Sequence, residues 1–154
     1  MKYYILIILI GFGSFLAAQS NGVTIEEEKE VKQLIQGIFD DVWGGLDSTK
    51  ILDYHTEDFI ILENGELWSN KEIKSYIKRS LQSQIKTDRL NSFDYISMEK
   101  QGDAIWAAYH NYATFSVSRK ETGKGYWLES IVAIPTEQGW RLRMMHSTWV
   151  PQKK

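Results

Sequence analysis

The chain has 154 residues, with 18 Lys and Arg against 20 Asp and Glu, and its net charge at pH 7 is −2. This near-balance argues against a nucleic-acid-binding or anionic-membrane-binding protein, since both depend on concentrated positive charge. The absence of cysteine excludes disulfides, a thiol nucleophile and a cysteine-ligated metal.

Residues 1–20 have the pattern of a cleaved secretion signal. Lys2 precedes an almost unbroken apolar run over 3–15, and the small residues that follow include Ala18 and Ser20, which suit signal peptidase. The run is shorter than the roughly 20 apolar residues that a membrane anchor needs. We therefore expect cleavage after Ser20 and an exported protein, periplasmic or secreted, with no membrane attachment afterwards.

Residues 21–154 are enough for one domain and too few for two. Thr24 and Glu27 form a capping box ahead of apolar residues at helical spacing, which predicts a first helix. A short second helix is expected to end at Tyr54.

A hairpin and a third helix follow. Residues 57–63 predict an apolar strand, Asn64 and Gly65 a two-residue turn, and 66–68 the returning antiparallel strand. A second capping box begins at Ser69 and predicts a helix that runs to about residue 85.

The rest of the chain predicts a meander of long strands. Turn signals separate strands at about 88–100, 103–118, 125–135 and 139–150. Helices followed by strands indicate an α+β fold, with the helices packed on one face of an antiparallel sheet.

Alternation along the last strand predicts which side chains face the core, whereas strand 103–118 alternates less cleanly. Trp140, Leu142, Met144 and His146 share one face of the last strand, which we interpret as the core face. Strand 103–118 carries apolar side chains on both faces, so we expect a second subunit to cover its outer face in a homodimer.

Several aromatic residues are candidates for the wall of a ligand pocket, although such residues are more often simply core. The candidates are Trp43, Trp68, Trp106, His110 and Trp127. Which face of strand 103–118 would line the pocket is left open.

Charged residues within the strands allow two interpretations. Glu129 is the one acid in the apolar run 126–135, and we expect it to pair across the hairpin with Arg141 or Arg143; otherwise it reaches the pocket.

The histidines do not indicate a metal site. His55, at a helix end, is expected to be structural. The three histidines lack metal-ligand spacing, so no metal site is predicted.

Three short sequence motifs resemble those of a known protein family. They are an aromatic residue with an acidic pair and an apolar strand at 54–60, a hairpin leading into a helix at 66–73, and a Gly-Trp-basic-apolar strand ending in His-x-Ser at 139–147. Together they resemble the nuclear transport factor 2 superfamily, which includes ketosteroid isomerase, SnoaL-like polyketide cyclases and scytalone dehydratase. The resemblance covers roughly 25–150. It implies a cone-shaped roll in which three N-terminal helices pack on a curved, mainly antiparallel sheet, with a pocket at the open end.

The resemblance also suggests catalytic candidates. It places Glu63 where ketosteroid isomerase carries its Asp base, and His146 would donate to the developing oxyanion. The isomerase's oxyanion hole of Tyr and protonated Asp has no counterpart, because Phe39 and Trp43 on the first helix lack a hydroxyl. Alternatively, Glu63 merely flanks the exposed turn and His146 bonds a neighbouring strand.

Three functions remain open at this point. The favoured one is an exported, non-catalytic domain that binds a small apolar or amphipathic ligand in the cone, without a cofactor. The second is a cofactor-independent proton-transfer enzyme of the isomerase, dehydratase or cyclase type that uses Glu63 and His146. The third is a dimeric scaffold whose cone is filled.

Overall fold

A computed structural model describes residues 22–151, so the expected secretion signal lies outside the described residues. The helices precede the long strands, as predicted. They are α1 (Ile25–Gly37), which continues as a π-helix over Ile38–Gly44, then α2 (Ile51–Tyr54) after a short 3-10 turn, and α3 (Asn70–Leu81). Within residues 22–151, no helix has the length and apolar character needed to cross a bilayer.

The strands of this part of the chain form one six-stranded sheet in the order β2-β1-β6-β5-β4-β3. Their bounds are β1 (His55–Glu63), β2 (Glu66–Ser69), β3 (Asp88–Gln101), β4 (Ala104–Val117), β5 (Lys120–Thr136) and β6 (Gly139–Trp149). Neighbours run antiparallel except β1 and β6, which are parallel. The α+β class with a mainly antiparallel sheet is therefore confirmed.

Local signals in the sequence determine where the helices and the hairpin begin. Thr24 and Ser69 each accept a hydrogen bond from the first turn of their helix, and both capping boxes form. Asn64 and Gly65 take positive φ values of 49° and 90°, as the tight turn between β1 and β2 requires. Helix α3 ends at Leu81, four residues earlier than predicted.

The core lies between the helices and one face of the sheet, called here the inner face. Val31, Ile35 and Ile38 of the first helix are fully buried, and Tyr109 and Met145 meet them from the central strands. This packing removes large apolar side chains from water, which contributes about 1.5–3 kcal/mol for each.

The predicted facing of the last strand is wrong beyond Leu142. Val132 pairs with Met144 and Ala133 pairs with Leu142, so Arg143 is an extra residue that forms a β-bulge. The bulge shifts the alternation by one residue. Ser147 therefore lies on the inner face, and His146 is exposed on the outer face instead of lying in the core.

Strand β4 has the clean alternation that resolves its two faces. Buried residues recur at every second position from Ile105 to Ala113, which places Trp106 and His110 on the outer face. The His110 ring bonds the Tyr126 hydroxyl there, with Nδ1 and the oxygen 2.7 Å apart. The prediction that Trp106 and His110 line the pocket is therefore wrong.

Candidate functional site

A cavity of about 170 Å³ lies between the helices and the inner face of the sheet. One wall is aromatic and is formed by Phe39, Trp43, Trp68, Tyr76 and Trp127. Trp43 and Trp68 both contact the Tyr76 ring, at centroid distances of 5.8 Å and 5.9 Å. Three of the five aromatic and histidine residues predicted for the pocket thus line it.

The remaining wall is strongly polar, because Glu63, Arg89, Glu129 and Ser147 also line the cavity. These residues come from β1, β3, β5 and β6, so the curvature of the sheet brings them together. Charged groups in such a confined space interact more strongly than they would in water. The lining residues thus give the cavity one aromatic wall and one charged wall.

Glu129 is the most deeply buried acid of the site, with only 4% of its surface exposed. Ser147 Oγ donates to its Oε1 at 3.0 Å, and Asn111 Nδ2 donates to its Oε2 at 3.1 Å. Burial raises the pKa of Glu129 to about 7, although both hydrogen bonds and the Arg89 charge favour the ionised form. The carboxyl is thus divided between its acid and its carboxylate near neutral pH.

The expected pairing of Glu129 with an arginine across the hairpin is wrong. Arg143, displaced by the bulge, pairs with Asp58 on the outer face, and Arg141 Nε donates to the Leu52 carbonyl at 3.2 Å. Glu129 points to the inner face, because it alternates with the exposed Leu128. The second interpretation, that Glu129 reaches the pocket, agrees with this geometry.

A relay of hydrogen bonds joins Glu129 to Arg89 across three strands. Asn111 Oδ1 accepts from Asn91 Nδ2 at 2.6 Å, and Asn91 Oδ1 accepts from Arg89 Nε at 2.9 Å. Asn91 and Asn111 are buried, so their amides need these partners. The relay fixes the position of both charged groups relative to the sheet.

Arg89 is also held by aromatic rings. Its guanidinium carbon lies 4.9 Å from the centre of the Trp127 ring, 5.3 Å from that of Phe39 and 5.7 Å from that of Phe115. Burial lowers the pKa of Arg89, while the negative charges of Glu129 and Glu63 oppose that shift. Cation–π contacts of this kind are worth about 0.5–2 kcal/mol each.

Glu63 lies at the end of β1 and reaches the cavity from its rim. Asn64 Nδ2 donates to Glu63 Oε1 at 2.6 Å. Burial raises the pKa of Glu63, and the Ser147 hydroxyl and the Arg89 charge partly oppose that shift. Its predicted partner His146 is exposed and does not line the cavity, so the two side chains do not share one volume. The catalytic role assigned to Glu63 stays a prediction.

A second, open hollow of about 440 Å³ adjoins the cavity. Both volumes share Trp43, Tyr76 and Arg89 as lining residues, and the segment 80–88 and Phe115 form the outer part. Arg89 therefore stands where the inner cavity meets an outer vestibule. A ligand longer than the inner cavity would extend past Arg89 into this vestibule.

Reasoning from the sequence missed Arg89, Asn91 and Asn111. A signal for Asn111 exists, because it follows Ile105, Ala107 and Tyr109 at the inward positions of β4. A polar residue that continues an inward-facing series is either satisfied by another buried group or directed at a ligand. No comparable signal marks Arg89, whose inward position depends on the path of β3.

No family model and no curated protein matches the chain, whereas solved structures do. ActVI-ORFA from Streptomyces coelicolor has a TM-score of 0.67 at 17% identity, over 79% of this chain and 96% of that one. An NTF2-like protein from Cytophaga hutchinsonii has a TM-score of 0.64 at 10% identity, over 80% and 98%. A ketosteroid isomerase-like protein from Erwinia carotovora atroseptica has a TM-score of 0.62 at 9% identity, over 84% and 100%.

Identities of this size establish the fold and leave the activity open. Almost the full length of each of these neighbours aligns with this chain, and the alignment includes the helices and the sheet of its α+β roll. The chain therefore has the cone-shaped fold of the nuclear transport factor 2-like superfamily.

Proposed function

We propose that the chain binds a small amphipathic ligand in the cavity between the helices and the sheet. The observation that carries this proposal is the combination of an aromatic wall with a buried, hydrogen-bonded acid, Glu129, on the opposite wall. The aromatic rings suit the apolar part of a ligand. The polar wall suits a functional group that fixes its orientation.

The energetics of Glu129 favour a binding function over a filled scaffold. Burying a carboxyl is unfavourable even when it is hydrogen-bonded, and an apolar side chain of similar volume would stabilise the fold better. Perturbed acids in a cavity concentrate at functional sites. In a scaffold with a filled cone, apolar side chains would stabilise the interior better than the relay from Arg89 to Glu129 does.

NMR titration with small neutral aromatic compounds, such as 2-phenylethanol, tests the binding. We expect saturable shifts of the indole N–H signals of Trp68 and Trp127, which line the cavity. The indole signal of Trp106, on the outer face, provides an internal control and should stay in place. Equal shifts at all three indoles, or no saturable shift, would contradict the proposal.

A second candidate function is proton transfer, because the cavity holds a carboxyl that is half ionised near neutral pH. Here Glu129, instead of His146, would act beside Glu63. Glu129 would take a proton from a carbon next to a carbonyl, and the resulting enolate would be reprotonated from solvent.

Deuterium exchange into phenylacetone in D₂O, followed by NMR, tests this candidate. We expect exchange at the methylene carbon to be faster with the wild-type protein than with Glu129→Gln, while both bind the ketone. The exposed variant Glu137→Gln is the matched control and should exchange at the wild-type rate. Equal rates for all three proteins would exclude Glu129 as the base.

Export is part of the same proposal and is supported by the pattern of residues 1–20. N-terminal sequencing of protein from the native host should give Asn21 or a close neighbour as the first residue. An intact Met1 on a membrane-bound product would contradict export as a cleaved protein.

A further inference from the structure

We propose that the ligand carries a carboxylate and that this group binds the guanidinium of Arg89. The inference rests on the proposed ligand-binding function and specifies the chemical class of the ligand. Arg89 lines both the inner cavity and the vestibule, so its side chain stands at the junction of the two volumes.

Arg89 is held in position but has no direct ion pair among the described residues. Its Nε is used by Asn91, and three aromatic rings hold the plane of the guanidinium. Among residues 22–151, no carboxylate forms an ion pair with Arg89, and its two terminal nitrogens make no hydrogen bond. A planar fork of free N–H groups matches the two oxygens of a carboxylate.

The acids of the cavity already have other partners. Glu129 accepts from Asn111 and Ser147, and Glu63 accepts from Asn64. Neither carboxylate lies within ion-pair distance of Arg89, although both negative charges act on it across the cavity. The carboxylate that this fork lacks would come from the ligand.

The free N–H groups of Arg89 are hydrogen-bond donors, so an acid suits this residue better than an amine does. A carboxylate brings acceptors to these donors, whereas an ammonium group would add donors and place a cation beside Arg89. At Arg89 itself, charge and hydrogen bonding thus favour the acid, while Glu63 and Glu129 in the same cavity carry the opposite charge.

The volume of the inner cavity limits the size of the apolar part of the ligand. An engineered cavity of about 150 Å³ holds benzene, and the inner cavity here is about 170 Å³. A single aromatic ring, or a branched aliphatic group of that size, would fit against Trp43 and Trp68. Arylacetates and similar small organic acids therefore match the site.

Binding should be coupled to a proton. The titratable groups that face Glu129 are Glu63 from β1, Tyr76 from α3, Arg89 from β3 and Tyr109 from β4. A ligand carboxylate adds negative charge to this group, and the side chain that can compensate near neutral pH is Glu129, by taking up a proton. Affinity should therefore fall as the pH rises from 6 to 8.

Calorimetry with phenylacetate, phenylacetamide and phenethylamine tests the inference, because these probes share a ring and differ in charge. We expect phenylacetate to bind about tenfold more tightly than the amide, with uptake of a fraction of a proton at pH 7 that Glu129→Gln abolishes. Arg89→Lys should weaken phenylacetate about tenfold and leave phenylacetamide nearly unchanged. Arg143→Lys, on the outer face, is the matched control.

The outcomes separate the inference from the function on which it rests. If phenylacetamide or phenethylamine binds as tightly as phenylacetate, the carboxylate inference fails and the ligand-binding function stands. If none of the three probes binds saturably, both fail. The comparison of probes on the wild-type protein needs no variant, so the stability of Arg89→Lys does not limit the test.

Discussion

Glu63 and Glu129 lie on opposite sides of the same residue, because Ser147 of β6 is the register partner of Glu63 in β1 and of Glu129 in β5. Neighbouring strands are about 4.8 Å apart, so the two α-carbons are separated by about 10 Å. Ser147 Oγ donates to Glu129 at 3.0 Å, and Glu63 is held by Asn64 at the strand end. One serine thus separates a buried acid from a half-buried one.

The buried acid should make stability depend on pH. The pKa of Glu129 is raised from 4.5 to about 7, so the folded protein binds more protons than the unfolded chain between these values. The free energy of unfolding contributed by this group is therefore highest below pH 4.5 and falls as the pH rises through 7. Glu129→Gln removes this loss, which is about 3 kcal/mol. Urea unfolding at pH 8 should show the variant to be more stable than the wild type.

An exposed acid provides the control for this prediction. Glu137 lies in the turn between β5 and β6 and is exposed. Glu137→Gln should leave the pH dependence unchanged. A Glu129→Gln protein that is less stable than the wild type at pH 8 would show that the carboxylate is favourable where it lies.

Asn111 should control both the stability of the relay and the pKa of Glu129. Asn111→Ala leaves the Asn91 amide without its acceptor and Glu129 without one donor, and each loss costs about 1–3 kcal/mol. The pKa of Glu129 should rise above 7, since the Asn111 hydrogen bond lowers it. Carbon-13 NMR of the Glu129 carboxyl measures this shift. An unchanged or lower pKa would contradict the assigned hydrogen bond.

The sequence predicted the fold well because local signals determine it. The capping boxes at Thr24 and Ser69 form, and the turn at Asn64 forms the hairpin. These features depend on residues that are near one another in the chain. Local chemistry was sufficient for the α+β class and for most element boundaries.

The site was harder to predict because it depends on distant contacts. The bulge at Arg143 reverses the facing of His146, and a strict period of two cannot reveal it. For the same reason Trp149, at the end of β6, contacts the cavity residue Trp127, with ring centres 4.9 Å apart. Arg89 and Glu129 line one cavity only because the sheet curves, which no local pattern in the sequence reveals.

A homodimer through the outer face of the sheet stays a prediction, supported by an exposed apolar patch. Ile60, Leu62, Tyr112 and Leu128 form this outer-face patch, with between 38% and 44% of their surfaces exposed. Light scattering at micromolar concentration should give twice the mass of the mature chain. Leu128→Glu should produce monomers, because it places a charge in the middle of the patch.

The control for the dimer is an exposed apolar residue away from the sheet. Ile25, at the start of α1, is 88% exposed, and Ile25→Glu should leave the oligomeric state unchanged. A monomeric wild-type protein would show that the outer-face patch has no copy of this chain as its partner.

His55 should oppose the pH effect of Glu129. It is 2% exposed and stacks on Phe59 at a centroid distance of 3.6 Å, and its Nδ1 bonds Asn70 Oδ1 at 2.8 Å. Burial lowers its pKa from 6.5 to about 4, so the unfolded chain binds more protons between these values. The stability that His55 contributes is present above pH 6.5 and is lost as the pH falls through 4.

The opposition of these two groups can be measured by removing one of them. Between pH 4.5 and 6.5 the slopes from Glu129 and His55 have opposite signs and similar size, because each pKa shift spans about 2.5 units. In the wild type the two contributions to the free energy of unfolding should therefore nearly cancel in this range. In Glu129→Gln the histidine acts unopposed, so acidification from pH 6.5 to 4.5 should lower the free energy of unfolding by about 2–3 kcal/mol more than in the wild type. Urea unfolding of both proteins at half-unit pH steps measures the difference, and parallel curves would contradict a titrating Glu129.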